Sequence, residues 1–387
     1  MRPPHALTLL AATALLAAGC GRESSSGPAF GVKNSDTGAG ERLGFPGFAT
    51  KNTTRVAGAD PIANAAAVAR AVYTGASRAT RPAAVALVDA GDWRAGIVAS
   101  VLMSPPLRAP VLLSDGDALP SATDGALREL APRGSAVASG AKVIRVGSTP
   151  TPKGLPTTQI KGGNPFALAA AVDRFTSVIR GTPSPRVVVV GADSPEYAMP
   201  AAAWAAKSGD PILLVKRDAV PPETRAAILT HVHPRIYVLG PPDAVAAGVV
   251  SELQRIGRVV RISGTDPVRN AIAFARFSDG QFGWGVVDPG HGFVFANVRH
   301  PLDAAAAAAL SASGTYGPLL LTDSAEHLPP DVKQYLLDVQ PGYGRDPVRG
   351  VYNHGWLIGD DKAISLSAQS RIDTLLEIVP VRNELAR

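Results

Sequence analysis

Three acidic and histidine residues near the end of the chain have side chains suited to acid–base catalysis or metal binding. Asp288 and His291 share one loop rich in Gly and Pro, and Asp360 follows a later apolar segment. In open α/β sheets ligands bind beside the carboxyl ends of the strands, so an enzyme site would require these loops to converge there. Asp, Gly and His are also common turn residues, and the sequence favours turns over a catalytic site.

Other residues with catalytic potential have simpler explanations. His231 and His233 follow a predicted helix, where histidines stabilise the negative carboxyl end. The turns at residues 91–93 and 191–194 follow predicted strands, but neither has the Gly-x-Ser-x-Gly pattern of a nucleophile elbow. The sequence also has no phosphate loop and no Gly-x-Gly-x-x-Gly that opens a helix after a strand. We therefore predict a protein that is not an enzyme and that has no cofactor and no metal site.

Three cationic residues are the predicted anion contacts. Arg94 opens a predicted helix beside the first strand, while Lys216 and Arg217 follow a strand led by proline. Helix amino termini and arginines together suit phosphates or carboxylates. The alternative is that all three are solvated surface side chains.

The charge of the chain is polarised along its length. The net charge is +6, with 12 Lys and Arg against 7 Asp and Glu in residues 50–155, 11 against 8 in residues 156–260, and 9 against 13 in residues 261–379. A basic surface attracts anionic polymers such as nucleic acid, anionic lipid or acidic wall polymer. The alternative is a mixed solvated surface that carries no information about a partner.

The amino terminus has the layout of an export signal. A short basic start precedes an apolar run from Ala6 to Ala18, and Ala17-Ala18-Gly19 leads directly to Cys20, the only cysteine. This arrangement resembles the lipobox of bacterial lipoproteins, although Ala17 stands where leucine is usual. We predict cleavage after residue 19, acylation of Cys20 and a flexible tether over residues 20–49. Ordinary secretion and an uncleaved anchor remain alternatives.

Four landmarks recur three times in one order, which indicates a repeat of about one hundred residues. They are a turn with glycine and proline (55–61, 159–165, 261–267), an apolar strand (85–88, 187–190, 285–287), a strand led by proline (110–113, 211–214, 318–321) and a strand that ends in glycine (142–147, 235–240, 354–359).

Alanine-rich segments with helical periodicity alternate with these strands. The first helix of each copy is predicted at 62–73, 166–179 and 268–277, the second at 95–103, 200–207 and 302–310, and a third begins near 121, 222 and 330. Apolar strands between helices indicate a parallel sheet covered on both faces. We therefore predict an α/β fold with three tandem Rossmann-like repeats.

The order of these landmarks resembles the cell wall binding repeat 2 family, over about residues 50–379. The resemblance implies three domains packed as a pseudo-threefold triangle. It also implies an exported protein held to the wall by non-covalent contact with anionic wall glycopolymers. The implied wall-binding role agrees with the export signal and with the basic first two copies.

Two departures from the family pattern prevent a transfer of its ligand contacts. Proline takes the place of the family's arginine in the opening turns, at residues 61, 165 and 267. The segments that open the second helices, placed at Trp93, Tyr197 and Phe295, lack the family's aspartate.

The sequence thus predicts a signal peptide (1–19), a tether (20–49), three repeats (50–155, 156–260, 261–379) and a short tail (380–387). The expected protein is lipid-anchored outside the cytoplasmic membrane and binds an anionic wall glycopolymer, with no nucleic acid and with another envelope protein as a possible further partner. The first alternative is the solute-binding lipoprotein of a transporter, which would have two lobes. The second is an envelope enzyme with its site in the third repeat.

Overall fold

The computed structural model describes residues 47–313 and 317–381, and the predicted signal peptide and Cys20 lie outside these ranges. The strands are β1 Gly47–Ala49, β2 Thr53–Val56, β3 Val85–Asp89, β4 Val111–Ser114, β5 Val143–Val146, β6 Thr157–Ile160, β7 Arg186–Gly191, β8 Ile212–Val215, β9 Arg235–Leu239, β10 Arg258–Ile262, β11 Gly292–Asn297, β12 Leu319–Thr322, β13 Gly342–Tyr343, β14 His354–Ile358 and β15 Val379–Pro380. The helices are α1 Pro61–Val72, α2 Trp93–Ala99, α3 Ser121–Leu130, α4 Pro165–Arg180, α5 Pro195–Ser208, α6 Pro222–Leu229, α7 Ala247–Leu253, α8 Pro267–Arg276, α9 Pro301–Ser311, α10 Pro330–Asp338 and α11 Leu366–Leu376.

The opening turns form as the sequence predicts. Asp60, Asn164 and Asp266 each accept a hydrogen bond of 2.8 Å from the backbone N–H three residues later. A proline follows each of them as the first helical residue, where its missing N–H costs nothing. The glycine before each cap, for instance Gly162 against Leu168, approaches the helix so closely that a Cβ would overlap it. These contacts explain why the turn has the same residue types in all three copies.

Strands and helices form three layers, each with a parallel four-stranded core. The sheet orders are β4-β3-β5-β6, β8-β7-β9-β10 and β12-β11-β14-β2, and β1 adds to β2 antiparallel. The inner strands are buried on both faces, as the continuous apolar runs predict. The predicted α/β class with parallel sheets is confirmed.

The sheets are offset by one strand from the sequence repeats. The strand that opens the second copy, β6, pairs with β5 of the first, and β10 in turn pairs with β9 of the second. The strand that opens the first copy, β2, pairs with β14 at the far end of the chain. The fourth strand of each layer therefore comes from the next copy of the repeat. The fourth strand of the third layer comes from the first copy, which closes a ring.

The second helices of the three copies meet at the centre of the molecule. α9 packs against both α5 and α2, and α2 also packs against α5. Alanines such as Ala202 and Ala306 are almost completely buried there, and small side chains allow the helices to approach closely. This pseudo-threefold arrangement of three layers differs from the two lobes expected of a solute-binding lipoprotein.

Two assignments in the third copy were wrong. Residues 285–287 form no strand, because Gly285 has a φ of +63° and Val286 donates its N–H to the Ala275 carbonyl at the end of α8. The strand is β11, seven residues later, and Phe295 belongs to it. The second helix predicted at 302–310 forms as α9, which begins at Pro301, so only the opening segment placed at Phe295 was wrong. The helix does contain an aspartate, Asp303.

Near its amino end the folded structure extends into the segment predicted as a tether. Gly47–Ala49 pairs with β2, and the Thr50 hydroxyl donates a 2.5 Å hydrogen bond to Asp373 of α11. None of the helices in the described ranges is both long enough and apolar enough to cross a lipid bilayer.

Candidate functional site

Parallel strands bring their carboxyl ends to one edge of each layer, where α/β proteins bind ligands. At this edge of the second layer β7 and β8 end side by side, with Gly191 opposite Val215 and the Ala192 N–H donated to the Val215 carbonyl. The three cationic residues predicted from the sequence lie around this point. They come from two layers, so the arrangement depends on how the copies pack.

Arg94 reaches this edge from the amino end of α2. Its Nε donates a 2.6 Å hydrogen bond to the Ala192 carbonyl, and its Nη2 lies 3.3 Å from an Asp193 carboxylate oxygen. The guanidinium also sits 4.8 Å from the centre of the Trp93 ring. Arg94 thus joins the first two layers, and part of its hydrogen-bonding capacity is used within the protein.

Lys216 and Arg217 follow β8 at the same edge, and both side chains are exposed. Arg217 donates from Nε to the Asp243 carbonyl at 3.1 Å, and its terminal nitrogens make no hydrogen bond to another described residue. The exposed Asp218 carboxylate lies next along the chain, so this edge is mixed in charge. Two solvent-facing cations and a partly engaged arginine can contact an extended anionic ligand.

At the carboxyl edge of the third layer, a buried carboxylate missed by the sequence analysis joins the third copy to the first. Asp303 accepts a 2.9 Å hydrogen bond from Asn64 of α1, and His300 lies 3.4 Å from its other oxygen. The hydrogen bond to Asp303, with the charges of Asp303 and Asp360, raises the pKa of His300 despite partial burial. The signal was the sequence Pro301-Leu302-Asp303, which was overlooked because the segment that opens the helix was placed too early, at Phe295.

The residues required by the enzyme interpretation do not converge. His291 lies 3.1 Å from Asp288 just before β11 begins, at the amino edge of the third sheet. Asp360 follows β14 at the carboxyl edge. Within the described residues no group of three His, Cys, Asp or Glu side chains is arranged to hold a metal ion.

His231 has a structural role, but its side chain bonds to residues outside the helix that it follows. Its side chain is buried, with Nε2 2.9 Å from an Asp173 oxygen and Nδ1 2.7 Å from the Ser184 carbonyl. Burial alone would lower the pKa of His231, but the hydrogen bond and charge of Asp173, helped by the Ser184 carbonyl, raise it above its ordinary value. The side chain connects α4 to the start of β7.

Comparison with known proteins agrees with this architecture. The family model described as cell wall binding domain 2 (CWB2) matches residues 159–250 and 261–369, which together make up just over half of the chain. The structure is similar to Cwp6 from Clostridium difficile, with a TM-score of 0.66 and 18% sequence identity over 84% of this chain and 48% of that one. It is also similar to Cwp8 from Clostridium difficile, with a TM-score of 0.63 and 18% identity over 84% of this chain and 52% of that one. The chain thus spans about half the length of each protein, and no curated protein matches it.

Proposed function

Because the chain belongs to the cell wall binding domain 2 family, we propose that it binds an anionic cell-wall polymer at the cell surface and catalyses no reaction. The family match supports this proposal most strongly, since it covers the second and third copies of the repeat. The first copy has the same strand order and the same capped opening turn. The surplus of Lys and Arg in the first two copies favours an anionic ligand.

The test is co-sedimentation of the chain from residue 21 onward with purified cell walls. The walls are used before and after removal of their anionic polymers, across a series of salt concentrations. We expect sedimentation that requires the polymers and weakens as salt screens the charges. Equal sedimentation with stripped walls would contradict the anionic ligand, and no sedimentation at low salt would contradict wall binding.

We propose Lys216 and Arg217, together with Arg94, as contacts for the polymer. The double variant Lys216→Gln/Arg217→Gln removes two exposed charges and, among the described residues, no side-chain hydrogen bond other than the one to Asp243. We expect it to bind walls about tenfold more weakly, since exposed charge pairs contribute up to about 1 kcal/mol each and about 1.4 kcal/mol is tenfold in affinity. The control is Arg255→Gln/Arg258→Gln, which removes the same charge from exposed positions elsewhere in the second copy. Equal weakening by both pairs would indicate a general charge effect without a specific contact.

We also propose that Cys20 is acylated and anchors the protein to the outer face of the cytoplasmic membrane. Two acyl chains anchor a protein stably where one chain does not. Cells fed a clickable fatty acid should label the wild-type protein and fail to label the Cys20→Ser variant. The variant should also leave the membrane fraction. A labelled Cys20→Ser protein, or an unlabelled wild type, would contradict this anchor.

A further inference from the structure

A second group of cations forms a pocket in the first layer, at the edge opposite the one that Arg94 occupies. Five cationic side chains and no carboxylate line it: Arg78, Arg81, Arg128, Arg133 and Lys142. Leu127, Leu155, Ala131 and Pro132 complete the wall of this open pocket of about 460 Å³, which we call the arginine pocket. The residues come from four separate segments at the amino edge of the sheet, and the five cations come from three of them. The sequence therefore shows no run of basic residues at the pocket.

Backbone contacts hold two of the guanidinium groups in place. Arg81 donates from Nε to the Gly75 carbonyl at 3.1 Å, and Arg133 donates from Nε to the Arg81 carbonyl at 3.2 Å. In both cases the contact orients the planar group through Nε. The terminal nitrogens, which make the forked contact with an oxyanion, make no hydrogen bond to another described residue.

The position of the pocket at the carboxyl end of α3 explains only some of its five cations. Arg128 lies in the last turn of α3 and pairs with Asp124, and Arg133 follows the end of the helix, where cations are stabilising. Arg78, Arg81 and Lys142 come from other segments and form no ion pair within the described ranges. Like charges gathered without counterions oppose folding, so their arrangement requires another explanation.

The second layer shows how the same edge is built when its cations are structural. Arg235, which occupies the position of Lys142 in the repeat alignment, lies 3.1 Å from Asp279. Arg186, at the start of β7, lies 3.0 Å from Asp210. In the second layer the cations that open β7 and β9 thus each have a carboxylate partner, and the partner of Arg235 comes from the loop that follows α8. Lys142 of the first layer forms no ion pair within the described ranges, and it lines a pocket instead.

We propose that the arginine pocket binds a phosphate group carried by the wall polymer. A single guanidinium satisfies the two oxygens of a carboxylate, whereas several cations around one pocket suit an anion with more acceptors and more charge. The volume accommodates one phosphorylated sugar or polyol unit, and the apolar wall covers its carbon atoms. This assignment rests on the proposed function, because the polymer supplies the phosphate.

The first test uses inorganic phosphate and glycerol 3-phosphate as probes, with glucuronate as the carboxylate comparison. Each probe is titrated into the isotopically labelled chain from residue 21 onward, and backbone NMR signals report where it binds. Both phosphates should shift the signals of residues 78–81, 131–133 and 142, and glucuronate should bind about tenfold more weakly or not at all. Arg78→Gln/Lys142→Gln should weaken phosphate binding about tenfold or more, whereas Arg255→Gln/Arg258→Gln should leave it unchanged.

The same two variants separate this proposal from the proposed function in the wall assay. Weaker sedimentation of the Arg78/Lys142 variant than of the control supports the pocket as a polymer contact. Normal sedimentation of that variant overturns the assignment and leaves wall binding intact. If the wild type does not sediment, the proposed function fails, and with it the polymer as source of the phosphate. Phosphate shifts that are absent from the pocket, or matched by glucuronate, overturn the phosphate site itself.

Discussion

At the residue scale, the arginine that begins the opening turn of the first and third copies donates hydrogen bonds to backbone carbonyls of the protein itself. Arg55 donates to the carbonyls of Gly359 at 2.8 Å and Ile364 at 2.6 Å, and from Nε to Gln369 at 2.9 Å. Arg261 makes the equivalent contact with the Gly240 carbonyl at 2.6 Å. Burial lowers the pKa of Arg55 to about 10, so it remains charged at neutral pH. This charge counts toward the basic total of the first copy but is not available to a ligand.

Removing this side chain should therefore destabilise the protein strongly. Arg55→Met leaves buried carbonyls without donors, and we expect a loss of roughly 3 kcal/mol in the free energy of unfolding, since hydrogen bonds to charged groups contribute about 1.5–3 kcal/mol each. Gln159 holds the same position in the second copy and donates one hydrogen bond, to the Gly147 carbonyl. Gln159→Leu should cost only about 1 kcal/mol. Urea denaturation measures both, and equal costs would contradict the role assigned to Arg55.

The buried pair of His231 and Asp173 should make stability depend on pH. Because the folded state raises the pKa of His231 above the ordinary value of 6.5, it holds the proton more tightly than the unfolded state does. This contribution is complete below pH 6.5 and disappears as the pH rises through the folded pKa. His231→Ala should lose about 3–5 kcal/mol at pH 6 and less at pH 9. Thermal unfolding from pH 5 to 9 should show a flatter profile for this variant, whereas His327→Ala, at an exposed position, should keep the wild-type profile.

Local sequence patterns predicted the residues that act on their own neighbours. Asp60 caps its own helix, as its residue type and position predict. His231 follows a helix as predicted, but its partners Asp173 and Ser184 lie 58 and 47 residues away, and the sequence did not predict these contacts. The arginine pocket and the contact between Asn64 and Asp303 depend on residues far apart in the chain. Only the tertiary fold brings such residues together, so spacing along the sequence carries no signal for them.

At the element scale, the alanine-rich second helices of the three copies pack closely against each other. Ala305 of α9 lies so close to Gly96 of α2 that a Cβ at Gly96 would come within 3.3 Å of the Ala305 Cβ. Ala305→Leu adds three carbon atoms at this contact. We expect a loss of about 1–3 kcal/mol, the usual cost of overpacking a filled core. Ala226→Leu, on an exposed face of α6, is the matched control and should change the free energy of unfolding by less than about 0.5 kcal/mol. Similar effects of the two changes would show that the helices are not tightly packed.

Sequence periodicity predicted the proline-led strands correctly but failed in part of the third copy. The proline-led strands β4, β8 and β12 were predicted because their apolar runs are bounded by turn residues. In the third copy, residues 278–291 form an inserted loop that packs back on α8. The Gly-Val-Val segment of this loop has the apolar sequence of a strand but forms none. A buried valine in a loop and one in a strand look alike in sequence, which misplaced the third copy's strand and the segment thought to open its second helix.

At the scale of the whole molecule, the exchanged strands make the three layers dependent on each other. Each sheet is completed by the next copy, and β2 closes the ring by pairing with β14 in register, Arg55 opposite Leu357. Repeat periodicity cannot reveal this exchange, because the sequence repeats in the same way whether a strand pairs within its own copy or with a neighbour. We expect one cooperative unfolding transition in calorimetry, with equal calorimetric and van't Hoff enthalpies. Three separate transitions would mean that the copies fold independently.

Because β2 closes the ring, residues 47–56 form a structural element that can be supplied as a separate peptide. A chain that begins at residue 59 lacks β1 and β2, exposes the edge of β14 and leaves Gln369 without Arg55. We expect its melting temperature to fall by several degrees or more and its third layer to exchange amide protons fastest. A synthetic peptide of residues 47–58 should restore the melting temperature in a concentration-dependent way, because binding to the folded state stabilises it by mass action. A scrambled peptide is the control, since it keeps the composition and loses the register. If the shortened chain melts like the chain from residue 21, or if both peptides act equally, the amino-terminal strand does not close the ring.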